Sequence, residues 1–211
     1  MFPQVRILIA DDHGIVRMGM VQIIKQLKPH SIVAEVDDYK SLYNTVSKEQ
    51  FDLVILDVNM PNGSLQEAID FIKLKQPNLK ILVFSSQDEH LYALRYLKMG
   101  AHGFLNKLSS KDTIDNAIDS MIQKGRFISD EVKETMFFQS INNQQNTEPL
   151  EALSNRELQV ANKLVEGLSL KELSNQLNLH ASTISTYKNR IFEKLGINSI
   201  PELVAILRLY N

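Results

Sequence analysis

Five times in the first 125 residues, a short run of β-favouring apolar residues gives way to a longer stretch whose apolar positions recur every three or four. The runs lie at 5–10, 32–36, 53–56, 81–84 and 103–105; the longer stretches lie at 14–27, 38–48, 64–75, 88–99 and 110–124. The runs are continuously apolar rather than alternating, so each expected strand has two faces to bury. This pattern predicts an α/β fold: a doubly wound, parallel (βα)5 sheet with helices on both faces and right-handed crossovers.

Beyond Gly125 the texture changes. Residues 129–138 have the spacing of a sixth helix. The stretch 139–149, QSINNQQNTEP, has almost no apolar content and reads as a linker. The expected division is therefore a sheet domain over 1–125, a linker with a helix over 126–149, and an all-α domain over 150–211. In the last of these, Ser154 with Glu157 and Ser169 with Glu172 have capping-box spacing. Gly167 ends the first helix. Ser182 is expected to open a third helix that Gly196 ends, and a final helix follows Ser199 to about Tyr210.

Composition bounds the function. With 44% hydrophobic and 23% charged residues the 211-residue chain is globular. Its net charge of −2 hides a division of labour: residues 151–211 carry 7 basic and 6 acidic side chains, against 16 and 18 in residues 1–138. The absence of cysteine excludes disulfides and thiolate metal sites. The N-terminus lacks the form of a signal peptide, and no apolar run is long enough to span a bilayer. The expectation is a cytoplasmic protein with no membrane partner.

In open parallel sheets ligands bind outside the carboxyl ends of the strands. Here those ends are Asp11 and Asp12, then Asp57, then Ser85 and Ser86, with Lys107 just after the fifth run. Carboxylates held together raise one another's pKa, and a hard divalent cation such as Mg²⁺ relieves the repulsion through oxygen ligands. An ammonium and a hydroxyl suit phosphoryl oxygens, and an aspartate can itself be the nucleophile. Taken singly, Asp11 or Asp12 is as easily a helix cap, and a lone Ser or Lys in a loop carries no function. It is the four strand ends together that point to phosphoryl chemistry.

ILIADDHGIVRMGM, VILDVNMP, VFSS and GAHGFLNK resemble the receiver domain of two-component response regulators over residues 5 to about 125. The resemblance implies that Asp57 is the phosphoacceptor. It implies a Mg²⁺ pocket of Asp11, Asp12, Asp57 and the carbonyl of Asn59. Ser85, Ser86 and Lys107 would serve the phosphoryl group, and Phe104 stands at the place of a rotameric aromatic switch. A sensor histidine kinase is the implied donor. Two positions depart from the family: Leu65 stands where many members have glycine, and Leu108 follows the lysine in place of proline.

In the C-terminal domain, Ile184, Tyr187, Ile191 and Leu195 form an apolar stripe three to four residues apart. Ser182, Ser185, Thr186, Asn189 and Glu193 lie on the other side, flanked by Lys188 and Arg190. That face suits a recognition helix in a major groove, where Asn reads adenine and cations neutralise phosphates. Periodicity alone fits an ordinary bundle helix equally well. The short turn from Asn178 to Ser182 favours a helix-turn-helix.

Residues 153 to about 209 resemble the DNA-binding domain of the NarL/FixJ (LuxR-type) regulators, and STYK-R---KL is similar to the BvgA/EvgA-type members. Ser174 replaces the alanine usual at the helix contact. The resemblance implies that Ser182, Thr183, Ser185, Thr186, Lys188, Asn189 and Arg190 meet double-stranded promoter DNA. Ser185, Thr186 and Asn189 would face bases, Lys188 and Arg190 phosphates. RNA polymerase stands as a further candidate partner.

The final helix is apolar nearly all round, and Ile200, Leu203, Val204 and Leu207 are the expected homodimer contact; packing on the first domain is the alternative. The histidines at 13, 30, 90, 102 and 180 show no metal-ligand spacing. Two other readings stay open. An aspartyl phosphohydrolase would need an acid where Asn59 stands. A constitutive DNA-binding protein with a vestigial receiver would not need the complete set of acids, hydroxyl and lysine.

Overall fold

The computed structural model describes residues 4–141 and 149–209. The chain folds as two compact units, Met1–Met136 and Phe137–Asn211. In the first, β1 (Arg6–Ala10), β2 (Ile32–Val36), β3 (Leu53–Leu56), β4 (Lys80–Ser85) and β5 (Gly103–Asn106) form one parallel sheet in the order β2-β1-β3-β4-β5. They alternate with α1 (Gly14–Leu27), α2 (Tyr39–Lys48), α3 (Leu65–Lys75), α4 (Glu89–Met99) and α5 (Lys111–Lys124). The expected starts of α2 to α5 fall on the caps. Asp38, Ser64, Asp88 and Ser110 each accept a backbone N–H of the helix they precede.

The continuous apolar runs are buried on both faces. Ile7, Ile9, Leu53, Ile55, Leu82 and Phe84 join Met20 and Ile24 of α1 and Ile114, Ile118 and Met121 of α5 in one core. Leu8, Val54, Leu56, Val83 and Phe104 alternate with these, and are as deeply buried on the other side. β2 is less buried, as an edge strand should be. The β5 edge is covered by Phe127, whose backbone bridges Gly103. A Cβ on Gly103 would lie 2.7 Å from the Phe127 carbonyl oxygen, so only glycine permits this closure.

α6 (Asp130–Ile141) runs three residues past the expected end at 138. Most of the expected linker, residues 142–148, lies outside the described residues.

In the second unit, a 3-10 turn (Pro149–Ala152) leads into α7 (Asn155–Val165), α8 (Leu170–Leu177), α9 (Ala181–Leu195) and α10 (Ile200–Leu209). Both expected capping boxes are present, at Ser154–Glu157 and Ser169–Glu172. Asn178, in the left-handed region at φ 50°, closes α8, and Gly196 closes α9. One start differs from expectation. His180, not Ser182, is the N-cap of α9 and makes no side-chain cap bond; Ala181 is already helical, so Ser182 sits inside the first turn. Leu158, Ala161, Leu173, Ile184, Ile191, Leu203 and Leu207 are among the buried apolar side chains of this unit's helices.

Candidate functional site

The sheet order reverses between β1 and β3: from β1 the chain steps outward to β2, then crosses to the other side. Ligand clefts form at such switch points, and the acids lie there. Asp11 follows β1, its N–H bonded to Val36 O at 3.2 Å, and Asp57 follows β3, its N–H bonded to Ala10 O at 2.8 Å. Both carboxylates are buried, at 1% and 4% exposure. Lys107 reaches from the end of β5 to pair with Asp11 Oδ2 at 2.7 Å and Asp57 Oδ1 at 3.1 Å. Its backbone is fixed by a bond from Lys107 N to Ser85 O at 2.8 Å, and the next turn by Leu108 N donating to Asn106 Oδ1 at 2.8 Å.

Burial pushes the Asp57 carboxyl above the usual carboxylate range. Lys107 opposes that rise and the Asp11 charge adds to it; Lys107 and the Val58 N–H, which donates to Asp57 Oδ1 at 2.8 Å, hold the anion without fully compensating for burial. Asp12 stands at the rim. His13, which shows no ligand spacing with the other histidines, belongs to the cluster: its Nδ1 lies 2.6 Å from Asp12 Oδ1 and 3.2 Å from Asp11 Oδ1. One ligand atom from each of Asp11, Asp12, His13 and Asp57 lies within 4.8 Å of the others. Two buried carboxylates with a third beside them are a donor set compatible with Mg²⁺, which needs one or two carboxylates and keeps its waters.

The remaining expected residues separate. Ser85 is fully buried at the end of β4, and its Oγ accepts the Gln87 N–H at 3.2 Å; Ser86 is exposed. Phe104 is buried and stacks on Tyr96 of α4 with ring centroids 6.0 Å apart and planes at 14°. The Tyr96 hydroxyl donates to Gln87 Oε1, so Ser85 and Phe104 are joined through Gln87 and Tyr96. Asn59 is exposed, two residues beyond Asp57. Tyr39 is a site residue that the sequence does not reveal: it is buried in α2, yet its hydroxyl donates to the carbonyls of Val58, at 3.0 Å, and Asp57, at 3.4 Å.

In the second unit Ile184 and Ile191 carry the buried stripe of α9, while Tyr187 and Leu195 are half-buried. Ser182, Thr186, Asn189 and Arg190 are exposed; Thr183, Ser185 and Lys188 are half-buried. Thr186 Oγ1 donates to Ser182 O at 3.0 Å, and Lys188 Nζ leans over the Phe192 ring at 5.7 Å. Ser174 donates to Leu179 O and ties down the turn before α9. On α10, Leu203 and Leu207 are 0% and 2% exposed, so they belong to the core rather than to a partner surface. The small bundle covers more of this helix than its composition suggests. Ile200, Val204 and Ile206 stay half-exposed, and Tyr210 lies outside the described residues.

Sheet order, acid edge and helix-turn-helix together define a two-domain regulator, and comparison with known proteins agrees. The response regulator receiver domain matches residues 7–119, and bacterial regulatory proteins of the luxR family match residues 151–207. The chain is 32% identical to the Fimbriae Z protein of Escherichia coli over 97% of each chain. It is 29% identical to the response regulator GacA of Pseudomonas aeruginosa over 96% of this chain and 94% of that one. Among solved structures it is similar to the RcsB–DNA complex, with TM-score 0.58, 26% identity and 98% of each chain covered. It is also similar to promoter-bound RcsB of Salmonella enterica serovar Typhimurium with a beryllofluoride phosphomimetic, with TM-score 0.62, 25% identity, and 97% and 98% covered. The chain belongs to the NarL/FixJ response regulators, which join a receiver domain to a LuxR-type DNA-binding domain.

Proposed function

We propose that Asp57 accepts a phosphoryl group from a sensor histidine kinase or a small phosphodonor, and that this modification governs promoter binding through α9. The observation that carries the reading is Lys107, whose ammonium touches both buried carboxylates at the switch point. Asp11, Asp12, Asp57 and the Asn59 carbonyl would hold Mg²⁺, which neutralises the phosphoryl charge. An Asp57 oxygen attacks phosphorus, the bond to the leaving nitrogen or oxygen breaks, and an acyl phosphate results. Lys107 then moves its charge from the carboxylate to a phosphoryl oxygen, and the Ser85 hydroxyl donates to another. That draws on the Gln87 N–H now bonded to Ser85 and, through Gln87 and Tyr96, on Phe104 and α4. The chain acts as a cytoplasmic regulator with no steady-state turnover, apart from forming and losing its own acyl phosphate.

On DNA, Asn189 and Thr186 present the exposed polar edge of α9 to bases, and Arg190 with Lys188 meets phosphates. A single recognition helix reads only a few base pairs, so two copies on adjacent half-sites are required. Of the expected dimer residues, the half-exposed Ile200 and Val204 are left for that contact.

Incubation with acetyl phosphate and Mg²⁺ should label one hydroxylamine-sensitive site. Asp57→Asn or a chelator should abolish the label; full labelling of Asp57→Asn would overturn the assignment.

A further inference from the structure

The loop that follows Asp57 is held from outside, and the hold comes from the first residues of α2. Tyr39 N donates to Pro61 O at 3.1 Å. The Tyr39 hydroxyl, deep in the fold, donates to Val58 O at 3.0 Å and more weakly to Asp57 O at 3.4 Å. Asn62, in the left-handed region at φ 65°, donates its side-chain amide to Asp38 Oδ2 at 2.7 Å. The other oxygen of Asp38 caps α2 by accepting Ser41 N–H at 2.6 Å. Gly63 lies flat against the Tyr39 ring: a Cβ there would sit 2.7 Å from Tyr39 Cβ. Asp57, Val58, Pro61, Asn62 and Gly63 are thus all held by Asp38 or Tyr39.

We infer that Asp38 and Tyr39 form a clamp that sets the Asp57–Gly63 loop, and with it the Asn59 carbonyl, at the height a divalent cation needs. They are positioning residues for the metal and phosphoryl site, not ligands. The inference rests on the reading of Asp57 and Asn59 given above. Three features support it. Tyr39 is 1% exposed and stacks on Tyr43 at 6.5 Å, which in turn meets Phe71 at 4.8 Å, so the hydroxyl is aimed by a rigid aromatic base. An ordinary tyrosine hydroxyl keeps its proton at neutral pH, so it stands as a donor to the loop carbonyls. Finally, Leu65 is buried at the start of α3 and anchors the far end of the loop. The chain bends just before it, at Asn62 in the left-handed region and at Gly63 against Tyr39, and the clamp holds that shape. A loop whose carbonyl must meet a cation gains affinity when its shape is fixed before binding.

The test is Mg²⁺ binding to the unphosphorylated full-length chain by isothermal titration calorimetry, paired with acetyl phosphate labelling across a Mg²⁺ series. Tyr39→Phe keeps the ring and removes only the hydroxyl. It should weaken Mg²⁺ binding about five-fold, the usual reach of one lost hydrogen bond, and move the labelling midpoint equally. The maximal labelling rate at saturating Mg²⁺ should stay within about two-fold of wild type. Asn62→Gly keeps the left-handed backbone, removes the amide to Asp38, and should shift the midpoint in the same direction. Tyr43→Phe deletes a hydroxyl one turn away that makes no hydrogen bond and should shift nothing. Wild-type Mg²⁺ affinity in both Tyr39→Phe and Asn62→Gly overturns the clamp, as does an equal shift in Tyr43→Phe. Labelling that survives in Asp57→Asn would instead defeat the underlying assignment, so the two failures are told apart.

Discussion

The acid edge of the receiver and the exposed face of α9 are built in opposite ways. At the acid edge the central groups of the proposed site are themselves part of the interior: Asp11, Asp57 and Ser85 are buried, and Lys107 is largely so. Their positions are set by strand ends and by bonds among themselves. On α9 the proposed base and phosphate contacts Thr186, Asn189 and Arg190 stand outside, Ser185 and Lys188 are half-buried, and the stripe beneath them is core. Function and stability should therefore be coupled at the acid edge and separate on α9. Changing a receiver site residue alters the electrostatics of a buried pocket, whereas changing an α9 face residue should leave the fold unchanged.

The largest effect should therefore come from a residue of the DNA-binding unit that is not on its reading face. Glu157 is buried. Its Oε2 accepts the Ser154 N–H at 2.7 Å and pairs with Lys194 of α9 at 2.7 Å. Burial raises its pKa, but Lys194 and Ser154 outweigh this and hold it low. Its contribution is present above the unfolded carboxylate pKa and is lost as pH falls through the lower folded value. Glu157→Ala should cost about 2–3 kcal/mol in urea unfolding at pH 7, with a smaller difference in acid. An unchanged midpoint would break the separation between frame and face.

Next in size, Asn189→Ala should weaken specific DNA binding by about 1–3 kcal/mol and leave Tm and non-specific binding unchanged. Arg190→Ala should weaken both kinds of binding and flatten the salt dependence by about one unit. Lys188→Ala should do less than Arg190→Ala, because its amine already leans over Phe192. Fluorescence anisotropy with matched specific and random duplexes measures all three. A change in Tm with Asn189→Ala would mean that the face is part of the frame.

The smallest effect is a gain. Burial holds the Asp57 pKa above its unfolded value, so the group favours the fold when protonated, and this benefit is lost as pH rises through the folded value. Asp57→Asn should then raise the receiver's Tm at pH 7 in metal-free buffer by about 2–4 °C. The gain should shrink as pH falls towards the unfolded carboxylate range. A loss of Tm would mean that the Lys107 pairing outweighs burial.

The alternation of apolar runs with helical spacing is enough to predict the sheet, because a parallel sheet buried on both faces leaves that mark on every strand. The strand ends make Asp57 and Lys107 legible for the same reason: a charge directly after a buried run has one place to go. His13 adjoins the acids in sequence, but spacing among the histidines alone gives no sign of the cluster it joins. Tyr39 stays hidden, since a tyrosine in a helix looks like core until its hydroxyl is seen to reach a loop about twenty residues on. Composition assigns Leu203 and Leu207 to a surface, because it cannot say which sides of a helix a small bundle covers. The start of α9 is misplaced by sequence because serine resembles a cap, while the backbone has already turned helical at Ala181.

Chemistry at Asp57 should control DNA binding by α9. A target promoter duplex titrated with the full chain, with and without beryllofluoride and Mg²⁺, reads this control while analytical ultracentrifugation follows assembly. Beryllofluoride should raise DNA affinity and dimer population together, and Asp57→Asn should lose both responses while retaining the basal affinity. Equal affinity in the two conditions, or a response that persists in Asp57→Asn, would mean that Asp57 does not control α9.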